Sequence, residues 1–463
     1  MIKYISTRGS APTLSFEEAV LAGLASDGGL YVPDSIPQFA PHEIAAMSGL
    51  SYTELALKVM QPFIGNAIPE ADLTKLIEES YSGFRHEAIA PLKQLSHNEY
   101  LLELFHGPTL AFKDFALQFL GRTLEYFLKK KNETLTVVGA TSGDTGSAAI
   151  AGCRGRKNMK IFILHPKGRV SDVQRRQMTT VTDKNVFNLA VGGTFDDCQN
   201  IVKSLFADEA FRKTQHLTAV NSINWARILA QVVYYFYAAL ALGAPARSVS
   251  FAVPTGNFGD IYAGYIAKRM GLPIEKLIIA TNSNDILARC LSTGAYGMGN
   301  VVQTSSPSMD IQVSSNFERL LFDLYDHDGK AVVALMSELG RKSKFWLSAG
   351  AYQRLKNEFA AGSANNHVTE KTIASVYKQT GELLDPHTAV GVAVGRKFHS
   401  DKSTPLVILA TAHPAKFPAA VKKATGIMPT LPAHLKDIMK RKEKYAAIKN
   451  DVAAVKKFIE KAK

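Results

Sequence analysis

Cysteine is scarce in this 463-residue chain, with Cys153, Cys198 and Cys290 the whole supply. Three thiols so far apart make neither a disulfide framework nor a zinc cluster, so no metal site is expected and a reducing compartment, the cytoplasm, suits them best. Acidic side chains are also short, 41 Asp+Glu against 54 Lys+Arg, for a formal charge of +13. The 46% hydrophobic and 21% charged content still excludes a disordered or fibrous chain. No repeat of fixed period and no low-complexity tract interrupts it. The opening residues Met1-Ile2-Lys3-Tyr4-Ile5-Ser6 carry no long apolar run before a small-residue cleavage site, so no secretory signal is expected. One long uncharged run exists, 228–246, between Arg227 and Arg247. Gln231, Tyr234, Tyr235, Tyr237, Gly243 and Pro245 lie inside it, and a buried core helix is expected there rather than a membrane span.

Residues 16–24, 52–60 and 71–84 show helical patterning, broken by Gly28-Gly29 and by Pro33, Pro37 and Pro41. After residue 90 the texture changes. Short apolar runs are each followed by a turn-rich segment and then a helical pattern. The runs are 135–140 before Thr141-Ser142-Gly143-Asp144-Thr145-Gly146, 160–164 before His165-Pro166-Lys167-Gly168, and 248–253 before Pro254-Thr255-Gly256-Asn257-Phe258-Gly259-Asp260. Two more are 277–280 before Thr281-Asn282-Ser283 and 406–410 before Thr411-Ala412-His413-Pro414. Strands that are apolar throughout and alternate with helices predict an α/β fold with mainly parallel sheets. Ligands in such folds bind beyond the carboxyl ends of the strands, where these turns gather.

The tail, 436–463, holds ten Lys/Arg and four Asp/Glu. Tyr445, Ile448, Val452, Val455 and Ile459 recur at intervals of three and four, which predicts an amphipathic helix with a solvated basic face. No aromatic–basic interleaving accompanies the charge, and neither a nucleic-acid nor a membrane partner is expected.

Three segments carry chemistry. The turn 254–260 places two glycines between a strand and a helix, so that backbone N–H groups and a helix N-terminus form an anion cradle suited to phosphate. It lacks the Lys-Ser/Thr of a P-loop and the G-x-G-x-x-G spacing of a dinucleotide site. The turn 141–146 has the same context and adds side-chain oxygens; it reads equally as a carboxylate or phosphate holder and as an ordinary cap by Ser142, Thr145 or Ser147 of a helix near Ala148. In the third, Lys113 lies among Leu110, Ala111, Phe112 and Phe115, just after Gly107-Pro108. An ammonium in such company loses hydration and becomes a candidate nucleophile towards a carbonyl. An activated lysine with a phosphate cradle is what pyridoxal phosphate requires.

These residues and their neighbours closely resemble the threonine synthases of the shorter, microbial and fungal type. The matching stretches are Tyr4-Ile5-Ser6-Thr7-Arg8-Gly9, Asp27-Gly28-Gly29-Leu30-Tyr31-Val32-Pro33, and Phe105-His106-Gly107-Pro108-Thr109 through Lys113-Asp114-Phe115. They continue with Thr141–Gly146, Asn221-Ser222-Ile223-Asn224-Trp225, Gly256–Asp260, Ser306-Pro307-Ser308-Met309-Asp310-Ile311 and Thr411-Ala412-His413-Pro414, in the family's order over nearly the whole chain.

The resemblance implies a fold-type II pyridoxal-phosphate enzyme, similar to the β subunit of tryptophan synthase. It implies two parallel-sheet α/β domains and an N-terminal helical extension: 1–90 family-specific, 91–134 with 218–463 cofactor-binding, 135–217 the small substrate domain. Lys113 is then the Schiff-base lysine, Gly256, Asn257, Phe258, Gly259 and Asp260 line the cofactor-phosphate loop, and Thr411 faces the pyridine nitrogen. Thr141, Ser142 and Thr145 are implied to hold the substrate's α-carboxylate or part of its phosphate. Asp144 stands where many relatives of the fold place an asparagine; it is placed with the substrate-binding set. Asn224, Arg227, Ser308 and Asp310 are further substrate-pocket candidates, Arg227 reading equally as a cap of the apolar helix after it. The implied reaction converts O-phospho-L-homoserine and water into L-threonine and phosphate by γ-elimination and β-hydration, in a monomer or homodimer. Its alternative is a threonine-synthase-like phospho-lyase that ends at 2-oxobutyrate.

Overall fold

The computed structural model describes residues 2–219, 222–401 and 403–462, in two compact units. One comprises Met1–Gly107 with Ser222–Pro429 and the other Pro108–Asn221 with Thr430–Lys463.

The larger unit is built on a six-stranded sheet in the order Phe359–Ser363, Ile274–Thr281, Val249–Pro254, Leu406–Ala410, Glu99–Glu103, Leu92–Ser96. The first five strands are parallel and only the last edge strand is antiparallel. The central strands Val249–Pro254 and Leu406–Ala410 are buried at every position, which is why they read as unbroken apolar runs. The run 228–246 forms the greater part of helix Trp225–Ala241, which packs on the helices Tyr52–Ile64 and Gly259–Arg269. Among the described residues no helix is long and apolar enough to cross a membrane. The N-terminal helices Phe16–Ala22, Tyr52–Ile64 and Glu70–Tyr81 fall where the periodicity puts them. Both Ser15 and Ser51 close capping boxes, with Glu18 and Glu54.

The smaller unit is built on a five-stranded, wholly parallel sheet: Ala446–Ile448, Val186–Val191, Met159–Pro166, Leu135–Ala140, Leu217–Ala219. Its helices Lys113–Lys131 and Asp144–Cys153 approach until backbones touch. A Cβ at Gly121 would run into the Gly152 carbonyl, and one at Gly152 into the Leu117 carbonyl. Each of these glycines lies eight residues into its helix, so the close contact brings the starts of the two helices, Lys113 and Asp144, to the same end.

The tail differs from its prediction. Ala446–Ile448 is an edge strand paired with Val186–Val191, and only Val452–Lys461 is helix. Intervals of three and four there arise from a strand and a helix in series: Ile448 packs with the sheet's apolar face, Val455 and Ile459 with the helix Phe195–Ala207. The division into units also falls elsewhere than the expected boundaries. Residues 108–134 and 430–463 belong to the smaller unit, because helix Lys113–Lys131 packs on Asp144–Cys153 and the tail completes that sheet; residues 1–90 are part of the larger unit.

Candidate active site

In the smaller unit, Lys113 opens its helix after a turn in which Leu110 has φ 60° and Asp114 accepts hydrogen bonds from the Thr109 N–H (2.8 Å) and hydroxyl (2.7 Å). A left-handed leucine and a wholly buried aspartate locking Thr109 give the turn one shape. Gln177 Nε2 ties the Thr109 carbonyl at 3.0 Å. The Lys113 side chain is 11% exposed, its Nζ 5.2 Å from the Phe112 ring centroid and 3.9 Å from Asp144 Oδ2. Asp144 Oδ1 accepts from Gln174 Nε2 at 2.8 Å. The lysine therefore stands between an aromatic face and a fixed carboxylate.

The 141–146 turn is not the side-chain cap that its sequence also allowed. Helix Asp144–Cys153 begins at Asp144, with Gly143 as N-cap and no side-chain capping bond. Thr141 Oγ1 accepts from the N–H groups of Gly143 (3.0 Å) and Gly146 (2.9 Å), which rounds the turn, and Ser147 bonds the carbonyls of Gly143 and Asp144. Gly143 has φ 146°, and a Cβ there would strike the amide of Gln174. The half-buried hydroxyls of Ser142 and Thr145 serve no cap.

In the larger unit, the turn 254–260 leaves the strand Val249–Pro254 and enters helix Gly259–Arg269 through Phe258, which holds φ 64°. Its carbonyls are committed outward. Gly256 accepts from Ser314 Oγ (2.7 Å) and Asn257 from both the N–H (3.1 Å) and Nδ2 (3.0 Å) of Asn316. Among the described residues the N–H groups of 256–259 meet no protein acceptor, at the positive end of a helix. Four backbone donors there fit a phosphate. Gly256 is required by crowding, since a Cβ would lie 2.9 Å from the Ser308 carbonyl oxygen.

The Asp260 side chain does not turn towards that loop. Its carboxyl turns into the helix packing, where Oδ1 accepts from the hydroxyls of Tyr234 (2.5 Å) and Tyr235 (3.0 Å) while Oδ2 is buried with no partner among the described residues. Burial pushes this carboxyl up to about 7, against the pull of the two hydroxyls.

Arg227 is 5% exposed, and its Nε and Nη1 have no acceptor among the described residues. Burial, against an opposing pull from Tyr234, brings its guanidinium down to about 10. It does not cap the helix Trp225–Ala241; Asn224 does, its Oδ1 accepting from the Ala226 N–H at 3.0 Å while its Nδ2 bonds the Val20 carbonyl at 2.9 Å. Asn224 is thus committed to the fold, and Arg227 is left with donors for an anion. Asn221 lies outside the described residues.

Asp310 is a hub. It accepts from Asn282 Nδ2 (2.8 Å), Asn284 Nδ2 (3.0 Å), Thr304 Oγ1 (2.7 Å) and the Thr304 N–H (2.9 Å), holding the loop that carries Ser308. The Ser308 N–H bonds His387 Nε2 at 3.2 Å. Thr411, 4% exposed at the end of Leu406–Ala410, gives its N–H to Thr388 Oγ1 at 3.2 Å. The sequence reading missed Gln174, Ser314, Asn316, Asp385, His387 and Thr388. A local signal existed only for Asp385-Pro386, the cap-then-proline start of helix Pro386–Phe398.

Three family profiles match consecutive parts of the chain: "Threonine synthase N terminus" over residues 3–81, "Pyridoxal-phosphate dependent enzyme" over 85–351 and "Threonine synthase, C-terminal" over 388–459. The chain is 56% identical to the threonine synthase of Pseudomonas aeruginosa across 99% of this chain and 98% of that one. It is 47% identical to that of Saccharomyces cerevisiae across 99% and 97%. A crystal structure of PLP-bound threonine synthase from Brucella melitensis superposes with TM-score 0.98 at 56% identity, covering 100% of this chain and 99% of that one.

Proposed function

The chain belongs to the threonine synthase family, and from that premise we propose which of its residues perform the family's reaction and on what. It is a fold-type II, pyridoxal-phosphate-dependent lyase that forms L-threonine. Its substrate is O-phospho-L-homoserine, consumed with water and released as L-threonine and phosphate. What carries the reading is the match to the three profiles in succession along the chain and the 56% identity to a threonine synthase over 99% of its length. The phospho-lyase alternative is not favoured, since relatives at 56% and 47% identity are named threonine synthase.

The cofactor, when bound, supplies an aldehyde that takes up amines and a ring system that withdraws charge from the substrate's α carbon. The remaining roles fall to side chains of this protein. Lys113 Nζ anchors the cofactor and serves as the base at the substrate's α carbon. Asp144, its Oδ2 3.9 Å from Nζ and its Oδ1 held by Gln174, orients the Lys113 amine. The N–H groups of 256–259 hold the cofactor's phosphate arm. Thr411 presents a hydroxyl to the pyridine nitrogen; a hydroxyl is too weak an acid to protonate that nitrogen, which tempers charge withdrawal. Thr141, Ser142 and Thr145 hold the α-carboxylate, Ser142 and Thr145 through hydroxyls that no helix cap engages.

Arg227 receives the substrate's phosphate. Two buried donor nitrogens with no acceptor among the described residues disfavour a neutral homoserine and reward a dianion, the asymmetry by which a polar pocket rejects an analogue lacking the group. Asn224 and Asp310 act as supports for that pocket, and Ser308 as part of its wall. The three cysteines are all buried and unpaired, which suits the cytoplasm. The test is product analysis: with O-phospho-L-homoserine the protein should release phosphate and threonine in equal amounts. Phosphate with 2-oxobutyrate and ammonia instead would overturn the assignment.

A further inference from the structure

Helix Pro386–Phe398 begins beneath two of the segments just described. Asp385 is its N-cap and is wholly buried; its Oδ1 accepts from the His387 N–H at 2.9 Å and its Oδ2 from the Thr388 N–H at 3.2 Å. An aspartate cap needs no more than this. Here the same carboxylate also accepts from His387 Nδ1 at 2.8 Å and from the Thr388 hydroxyl. Because a carboxylate only accepts, the ring proton of His387 is fixed on Nδ1, and Nε2 is left as a lone pair. That lone pair takes the Ser308 N–H. The Thr388 hydroxyl, having donated to Asp385, has an acceptor left, and it takes the Thr411 N–H. Phe417 packs edge-on against the imidazole at 4.8 Å between centroids, so the ring has little room to turn. Among the described residues, both outward bonds of the cluster end on segments already placed in the site.

We propose that Asp385, His387 and Thr388 are positioning residues for the reaction, suspending the Ser308 turn and the Thr411 end of the sheet from one buried carboxylate and so fixing the Thr411 hydroxyl towards the cofactor's ring nitrogen. The proposal rests on the reading that Thr411 faces that nitrogen. It assigns two separable effects: Thr388 governs the cofactor side and His387 the substrate side. A cap that served stability alone would use neither the imidazole nor the hydroxyl.

The test uses the holoenzyme and its Thr388→Val, Thr388→Ser, His387→Phe and Thr411→Ala variants, read by the visible absorption and circular dichroism of the bound cofactor, by cofactor titration, and by KM and kcat. Thr388→Val leaves the Thr411 N–H without its acceptor and removes the hydroxyl bond to Asp385 Oδ2, which keeps only the backbone N–H of residue 388. It should shift the cofactor band, weaken its dichroism and reduce cofactor affinity about tenfold, whereas Thr388→Ser keeps the hydroxyl and should stay within about twofold of the parent. His387→Phe should raise KM for the phosphorylated substrate and leave the cofactor band in place. A band moved by Thr411→Ala and untouched by Thr388→Val overturns the proposal, as does a Thr388→Ser variant as impaired as Thr388→Val. A band moved by neither overturns the Thr411 assignment, and the proposal with it.

Discussion

Replacing Arg227 by methionine should stabilise the protein and remove its response to phosphate. The guanidinium is 5% exposed, and burial lowers its pKa from its ordinary value to about 10. At 1.36 kcal/mol per unit, that shift means that folding disfavours its charge by about 3 kcal/mol. A methionine of similar length fills the space without charge or unpaired donors, and such exchanges at buried charges gain roughly 1–4 kcal/mol. The melting temperature of the variant should therefore rise by a few degrees in the absence of anions. In the parent, inorganic phosphate stabilises by pairing those donors, by about 2.7 kcal/mol at a hundred times its dissociation constant. In Arg227→Met that increment should vanish. Differential scanning calorimetry of both holoenzymes against phosphate concentration reads both effects. A variant that melts below the parent, or one that keeps the phosphate increment, would refute the claim that Arg227 is an unpaired anion receptor.

Asp260 has its carboxyl raised to about 7 in the folded chain, so between the ordinary carboxylate value near 4 and 7 the folded form holds a proton that the unfolded form releases. Its contribution is full below that window and lost as pH rises through it, with a slope approaching 1.4 kcal/mol per pH unit; Asp260→Asn should flatten that part of the stability–pH curve, and an unchanged curve counts against it. Gly256→Ala places a Cβ 2.9 Å from the Ser308 carbonyl, so cofactor affinity measured by titration should fall about tenfold; an unaltered dissociation constant would mean that the turn yields freely.

The strands 135–140 and 406–410 were legible to the residue because both faces of each are covered, leaving an unbroken apolar run between polar turns. Helix Trp225–Ala241 was legible for the same reason, being apolar nearly all round. The tail was not, because residues 446–448 become a strand only through a partner some 260 residues earlier, and their spacing imitated helical periodicity. The division into compact units departs from the expected limits for a related reason: which sheet a segment joins is decided by distant pairing. In the site, Lys113 stood out by its apolar company and the turn 256–260 by its glycines. The isolation of Arg227, the inward turn of Asp260 and the Asp385 cluster depend on neighbours remote in sequence, and residue types alone carry no trace of them.

The account depends most on a covalent bond between Lys113 and the aldehyde of pyridoxal phosphate. Borohydride reduction of the holoenzyme, followed by proteolysis and mass spectrometry, should find the pyridoxyl group on Lys113 alone, with loss of the visible band. An adduct on another side chain, or none in a protein that still makes threonine, would contradict it.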